Sequence, residues 1–302
     1  MTSADEAATA AAGVTRGILL MLVSETAWVS MNAIIKGLSD TYPVAQLLFF
    51  RNIVSVPVMV AIVLSAGGPR LFKVSRPGLH LLHVLIAVTG VVCLIYSLGH
   101  LALSEAIAVT YMAPLMMTAL SVPVLKEHVG LRRWTAIVIG FAGVLVLARP
   151  GADFKPVVLV LLSGTFLFSC VVVIRRILSR ADHSATIVLY FTVAGSIAGG
   201  IAMIWTWVPP DAVGWALLLA SGGCAAVAQL SLTGAIKAAP VPVIAPMLYI
   251  SLVLGVSIDI LFWGIHPAGT TYAGAGIIIL AGLYNIYRDT MLARRALNHP
   301  TS

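Results

Sequence analysis

Charge is scarce in this 302-residue chain: charged side chains make up 10% of it and apolar ones 60%. Soluble domains carry about a quarter charged residues. A water-soluble globule of this size is therefore excluded, because too few charges remain to cover its surface. The same figures exclude disorder. Cysteine is scarce as well: Cys93, Cys170 and Cys224 are scattered through apolar runs, too few for a disulfide framework or a zinc site. There is no HExxH, no Walker A phosphate loop and no GxSxG, so no metalloprotease, nucleotide-hydrolysis or esterase signature is present. Gly-Ala-Gly at 274–276 sits inside an apolar run and reads as helix packing. Residues 1–16 are polar and Ala-rich, with Asp5 and Glu6, and lack the basic region of a signal peptide.

What is present is apolar length. A bilayer core about 30 Å thick is crossed by roughly 20 apolar residues in helix. Ten such runs can be read, over 17–38, 44–66, 79–98, 103–124, 133–149, 156–178, 184–207, 212–232, 240–263 and 270–287. They leave only short connections and no extramembrane catalytic domain. The expectation is an all-α integral membrane protein and no enzyme, since its acids are scattered rather than clustered at one face.

The net charge of +7 could suggest nucleic acid, but no basic patch interleaved with aromatics exists. Topology explains it instead. Cytoplasmic connections collect Lys and Arg. With the N-terminus inside, the inner segments hold Arg16, Arg70, Lys73, Arg76, Lys126, Arg132, Arg133, Arg175, Arg176, Arg180, Lys237, Arg288, Arg294 and Arg295. The outer ones hold Lys36, Arg149 and Lys155, and Arg51 lies within a span. A multi-pass protein of a bacterial inner membrane is expected, in contact with anionic lipid and with both termini cytoplasmic.

The chain is also written twice. Ser24-Glu25-Thr26, Ser30 and Ile35-Lys36 match Ser163-Gly164-Thr165, Ser169 and Ile174-Arg175 at a constant spacing of 139. Ala106 and Ala113-Pro114-Leu115 align with Ala238 and Ala245-Pro246-Met247 at 132, a spacing that also carries Gly90 onto Gly222 and Glu127 onto Asp259. Each unit holds five spans. An odd number inverts the second copy, an architecture that places a transporter's substrate site near the midplane between the halves. The units read as 17–150 and 156–287, with tails at 1–16 and 288–302.

Two five-span repeats, Ala-x7-Pro around each fourth span (Ala106 to Pro114, Ala238 to Pro246), an acid after each (Glu127, Asp259) and a Gly-rich fifth span (Gly140 to Gly143, Leu280 to Gly282) resemble the drug/metabolite transporter superfamily. The EamA-type branch is the nearest match. Leu48-Phe49-Phe50-Arg51 in span two is similar to bacterial amino-acid exporters of that superfamily. The resemblance implies ten transmembrane helices as two inverted five-helix EamA-like repeats around a central cavity. It also implies export of small metabolites by alternating access. No cofactor is implied, and a monomer suffices. With no ATP site, transport runs on a gradient, by exchange or passively.

Polar side chains inside a span should face protein or water. Glu25, Trp28, Asn32 and Lys36 fall at i, i+3, i+7 and i+11, one helical stripe; Glu25, Trp28 and Asn32 become candidate substrate contacts. Glu25 could bind an ammonium group or carry a proton, or serve structurally by pairing with Arg51. Arg51 could clamp a carboxylate or form that ion pair. His83 could bind substrate or titrate, whereas His80 reads as interfacial. Tyr111 and Tyr249 lie near the midplane, beside Pro114 and Pro246, which free carbonyls at Thr110 and Pro242,. Gln229 and Ser251 complete the candidate set. Asp259 and Glu127 read as helix caps or gates. Trp134, Trp205, Trp207, Trp263, Tyr284 and Tyr287 read as interface anchors. An acid, a base and aromatics suit a zwitterion: amino acids lead, with hydrophobic organic cations as the alternative.

Overall fold

The computed structural model describes residues 3–125, 131–148 and 155–298. Lys126, Glu127 and Arg149 lie outside them. Thirteen α-helices are found among the described residues, and they group into ten crossings. The first unit holds α1 (Ser3–Leu38), the pair α2 (Val44–Ile53) and α3 (Val56–Gly67), α4 (Pro77–Leu98), the pair α5 (Leu103–Thr110) and α6 (Ala113–Leu125), and α7 (Leu131–Ala148). The second holds α8 (Val157–Leu178), α9 (Ser184–Met203), α10 (Ala212–Ala238), the pair α11 (Val241–Ile244) and α12 (Ile250–Trp263), and α13 (Gly269–Asn298). Eight segments are long and apolar enough to span a bilayer, and two shorter apolar stretches, Trp134–Ala148 and Gly269–Tyr284, complete the ten. Helix runs on through 3–16 and 288–298, the stretches expected as tails.

Three of the expected single spans are broken, each beside a proline. Proline has no N–H and clashes with the carbonyl four residues back. Pro57 therefore separates α2 from α3, and the Ser55 hydroxyl donates to the Gly222 carbonyl at 3.0 Å beside the break. Pro114 separates α5 from α6, leaving a turn at Tyr111 and Met112. In the second unit the interruption is a 3-10 turn, Ala245–Tyr249, between α11 and α12.

The two units pack as inverted copies. The first helix of each lies along the third helix of the other: α1 on α10, α8 on α4. Like helices meet across the seam, α2 with α9, α5 with α12 and α7 with α13. Even the first connections match. Thr41 and Tyr42 donate backbone N–H groups to the Leu38 carbonyl, and Ala181 and Asp182 do the same to Leu178. The repeat is thus in register at a spacing of 140 here, against the 139 found within the helices.

The later register differs from the sequence alignment. Ala106 lies in α5, but Ala238 is the last residue of α10, the preceding helix. The spacing of 132 therefore pairs residues of different elements. The turns of the two broken helices instead bring Tyr111 together with Tyr249, a spacing of 138. The cause is in the connections: four residues (99–102) join α4 to α5, and two (239–240) join α10 to α11.

Hydrophobicity does not bind helix to helix in lipid, so close contact depends on small residues. Gly143 and Gly274 hold the α7–α13 crossing. A Cβ at Gly274 would sit 2.6 Å from the Gly143 carbonyl oxygen and 2.8 Å from the Leu147 nitrogen, both backbone atoms that cannot swing away. Gly274→Ala is expected to cost about 1–3 kcal/mol through overpacking. Gly276→Ala, two residues on and facing open space, should stay within about 0.5 kcal/mol. Unfolding temperatures of the two variants in one detergent check the contrast.

Candidate functional site

The expected site residues divide into three levels along the helices. At the middle level, residues from both units converge. Glu25 of α1 is buried. Its carboxyl faces the Ser251 hydroxyl of α12, which is hydrogen-bonded to Tyr111, the phenolic oxygen lying 2.6 Å from Ser251 Oγ. Tyr111 also donates to the Leu248 carbonyl at 2.9 Å, one of the backbone groups in the 3-10 turn. The Tyr111 and Tyr249 rings stand edge-on with centroids 5.1 Å apart, a favourable aromatic geometry. The tyrosines are where the sequence puts them, beside the helix breaks. Their joining to Ser251 and Glu25 spans up to 226 residues of chain and is a product of the fold.

The rest of the α1 stripe is shared between packing and the far end. Trp28 is half-buried against the main apolar core. Asn32 is buried and donates to the Trp28 carbonyl at 2.9 Å, while its Oδ1 has no partner. Lys36 lies 11 residues, about 16 Å, beyond Glu25 along the helix. Its ammonium group donates to the Leu101 and Leu98 carbonyls and stands 5.2 Å from the Trp263 ring centroid. Trp263, read as an interface anchor, therefore holds a cation inside the protein. A polar cleft of about 350 Å³ opens at this end, lined among others by Lys36, Ala102, Glu105, Lys155 and His266. Lys155 pairs with Glu105 at 3.1 Å in it. The open volume thus lies toward the α1 C-terminus, with the tyrosine pair beyond it at the middle level.

Asp259 acts as the cap the sequence suggested. It is fully buried and accepts the backbone N–H groups of Leu103 and Ser104, at 2.9 and 2.8 Å, and the Ser104 hydroxyl at 2.6 Å. The first turn of any helix leaves such donors without partners, and a carboxylate there also meets the positive end of the helix dipole. It ties α12 of one unit to α5 of the other.

The opposite end carries a contact that sequence reasoning missed. His80, expected at the interface, is buried and lies 2.8 Å from Asp182. Asp182 sits in the α8–α9 connection and also accepts the Ser75 N–H at 2.9 Å and the Ser75 hydroxyl at 2.7 Å, just before α4. The α1–α2 connection makes the corresponding contact: Tyr42, at the position of Asp182, lies against Gly214 in the first turn of α10. The signal was available only in the repeat register of 140.

Glu25 and Arg51 do not pair; the structural reading of Glu25 as the partner of Arg51 is corrected. No ion pair joins them, and Nη1 of Arg51 is buried without a hydrogen-bond partner. His83 is fully buried, with both ring nitrogens unpartnered. Gln229 is half-buried on α10 and has no side-chain hydrogen bond to the Glu25 group among the described residues. Asn52 is buried and bonds back to the Leu48 carbonyl at 2.8 Å. Trp134, Trp205 and Tyr284 are exposed on the apolar surface, as lipid-facing or interfacial anchors would be.

Comparison with known proteins agrees with this architecture. Residues 15–149 match the EamA-like transporter family. A pseudopaline exporter, CntI, of Pseudomonas aeruginosa is 28% identical over 88% of this chain and 94% of its own. A riboflavin transporter of Vibrio cholerae is 26% identical over 94% and 97%. An S-adenosylmethionine uptake transporter of Rickettsia prowazekii is 27% identical over 80% and 81%. A solved crystal structure shares the fold with a TM-score of 0.63 at 18% identity, covering 93% of this chain and 98% of that one. The chain is thus similar to EamA-like transporters over residues 15–149, and to proteins named as transporters over most of its length.

Asp182 gives a pH prediction. Burial alone would raise its pKa, but the hydrogen bonds from His80 and Ser75 outweigh that and hold the carboxyl below its ordinary value,. A lowered folded-state pKa stabilises the protein above the unfolded value, about 3.9, and the gain is lost as pH falls through the lower folded value. Asp182→Ala should cost about 1–2 kcal/mol at neutral pH. Thermal unfolding should show that gap constant above about pH 5 and closing only below about pH 4.

Proposed function

We propose that the protein exports amino acids and related small metabolites across a bacterial inner membrane by alternating access, with both termini cytoplasmic. The units at 17–150 and 156–287 would rock about the seam, and a monomer would suffice. The observation that carries the reading is the Glu25, Ser251, Tyr111 and Tyr249 group. Its members come from α1 and α5 of one unit and from the 3-10 turn and α12 of the other, at the level where inverted repeats place a substrate. A carboxylate beside two tyrosines offers an ammonium group both an ion pair and aromatic faces, and Trp28 and Asn32 extend the same stripe. The 3-10 turn supplies backbone carbonyls, polar handles of the kind broken helices provide.

Alternating access also needs contacts that form and part at the two ends. The Asp182 connection against α4 and the Tyr42 connection against α10 have the pseudo-symmetry for this. Glu25 is the first candidate for carrying a proton and His83 the second. A second reading, export of hydrophobic organic cations, is favoured by Glu25 having no basic partner.

Counterflow in proteoliposomes against the full set of amino acids tests the reading. Tyr249→Ala is expected to raise the half-saturation concentration about tenfold, the effect of losing roughly 1.4 kcal/mol of binding. Glu25→Gln should make uptake insensitive to an imposed pH gradient. Unchanged transport in both variants would remove the site from this seam. Competition by tetraphenylphosphonium stronger than by any amino acid would favour the second reading.

A further inference from the structure

Polar atoms buried in a protein interior nearly always have a partner, and one without calls for an explanation. Three basic side chains on three neighbouring helices break that rule. His83 on α4 is fully buried with Nδ1 and Nε2 both unpartnered. Arg51 on α2 has Nη1 buried without a partner, and Arg175 on α8 has Nε in the same condition. Arg175 is within electrostatic reach of the His83 ring. α4 packs against both α2 and α8, so His83 is carried on the helix that lies between the two arginines.

Among the described side chains no acid forms an ion pair with any of the three. Glu105 pairs with Lys155, and Asp182 is taken by His80 and Ser75. Asp211 caps α10 and Asp259 caps α5. Asp40 is exposed in the α1–α2 connection. Lys36, the other interior cation, has its carbonyls and the field of Asp259. An unpaired guanidinium in a low-dielectric interior is costly, and Arg recognises carboxylates through paired N–H groups.

We propose that Arg51, His83 and Arg175 form an anion subsite, and that the transported molecule is an aminodicarboxylate, one ammonium group and two carboxylates. The charge count leads there. Lys36 and Asp259 offset each other, and Arg51, Arg175 and the Glu25 carboxylate leave +1, so a substrate of net charge −1 makes the loaded carrier neutral. Its ammonium group meets Glu25, its α-carboxylate meets Arg51, and its second carboxylate meets Arg175 with His83 as a further hydrogen-bond donor. The proposal rests on the transport reading above and narrows its substrate class. Arg175 is placed by sequence among the cytoplasmic charges; its buried, unpartnered Nε sets it apart from them.

The test uses the full-length protein in proteoliposomes and in detergent. The probes are L-glutamate, L-2-aminoadipate and N-carboxymethyl-L-phenylalanine, set against their side-chain or N-substituent carboxamides. In counterflow the acids should compete about tenfold more strongly than the amides. Arg175→Gln should reduce that preference to about threefold or less, whereas Arg51→Gln should weaken acids and amides alike. Arg175→Lys should recover part of the preference, since the charge is kept and the bidentate geometry lost. In detergent, L-2-aminoadipate should raise the unfolding temperature of the wild type and move the ring nitrogen signals of His83 in ¹⁵N NMR. Acids and amides of equal strength in the wild type, or a preference that survives Arg175→Gln, overturns the subsite. Counterflow by no probe would fail the transport reading. The NMR response would then still decide the subsite, its absence overturning it.

Discussion

A bilayer core offers no hydrogen-bonding partner, so every polar group that enters it must be satisfied by the chain or by what the chain carries. That constraint accounts for most of what is found inside this protein. Hydroxyls at Thr26, Ser97, Thr165 and Ser196 bond back to carbonyls of their own helices. Ser24 and Ser55 use theirs to tie α1 and α2 to α10. Where a helix must start inside the protein, as α5 does, a carboxylate from the opposite unit closes its first turn. The few groups left over are therefore informative, and most of them are basic.

The inverted repeat brings the same constraint to the seam. The fourth helix of each unit is broken at a turn, and the turns meet at Tyr111 and Tyr249. Breaking a helix in lipid is tolerable only where other protein groups serve the freed carbonyls, and here Tyr111 serves Leu248. The seam is thus polar at this level. The ends are closed by connections that reach from one unit to the third helix of the other. The two contacts have corresponding positions but different chemistry, a carboxylate with Ser75 and His80 at one end and a phenol at the other. A machine assembled from two copies of one plan can in this way respond differently on its two sides.

Symmetry in the backbone and asymmetry in the side chains also explain the site. Glu25 corresponds to Gly164, and the glycine lets α8 lie close on Gly90 and Cys93. One copy of the position carries a buried carboxyl and the other close packing. A substrate has no two-fold symmetry, so a site formed at a pseudo-symmetric seam has every reason to lose its own.

The crossings, the duplication and the α1 stripe were legible in the sequence, because burial in lipid and helical periodicity are local properties of a segment. Glu25, Tyr111, Tyr249 and Ser251 could each be picked out as polar or aromatic groups at mid-depth. That they form one group was decided by tertiary packing, since hydrogen bonds across more than a hundred residues leave no trace in local pattern. The same holds for the His80–Asp182 contact. The register of the fourth helices was misjudged at a spacing of 132 because short connections of unequal length shift a repeat without altering its composition. The sequence by itself determined how many times the chain crosses and that it does so as two opposed copies. Only the fold decided which charges found partners, because a charge is satisfied by whatever packing brings within about 3 Å of it, and no one-dimensional pattern records that distance.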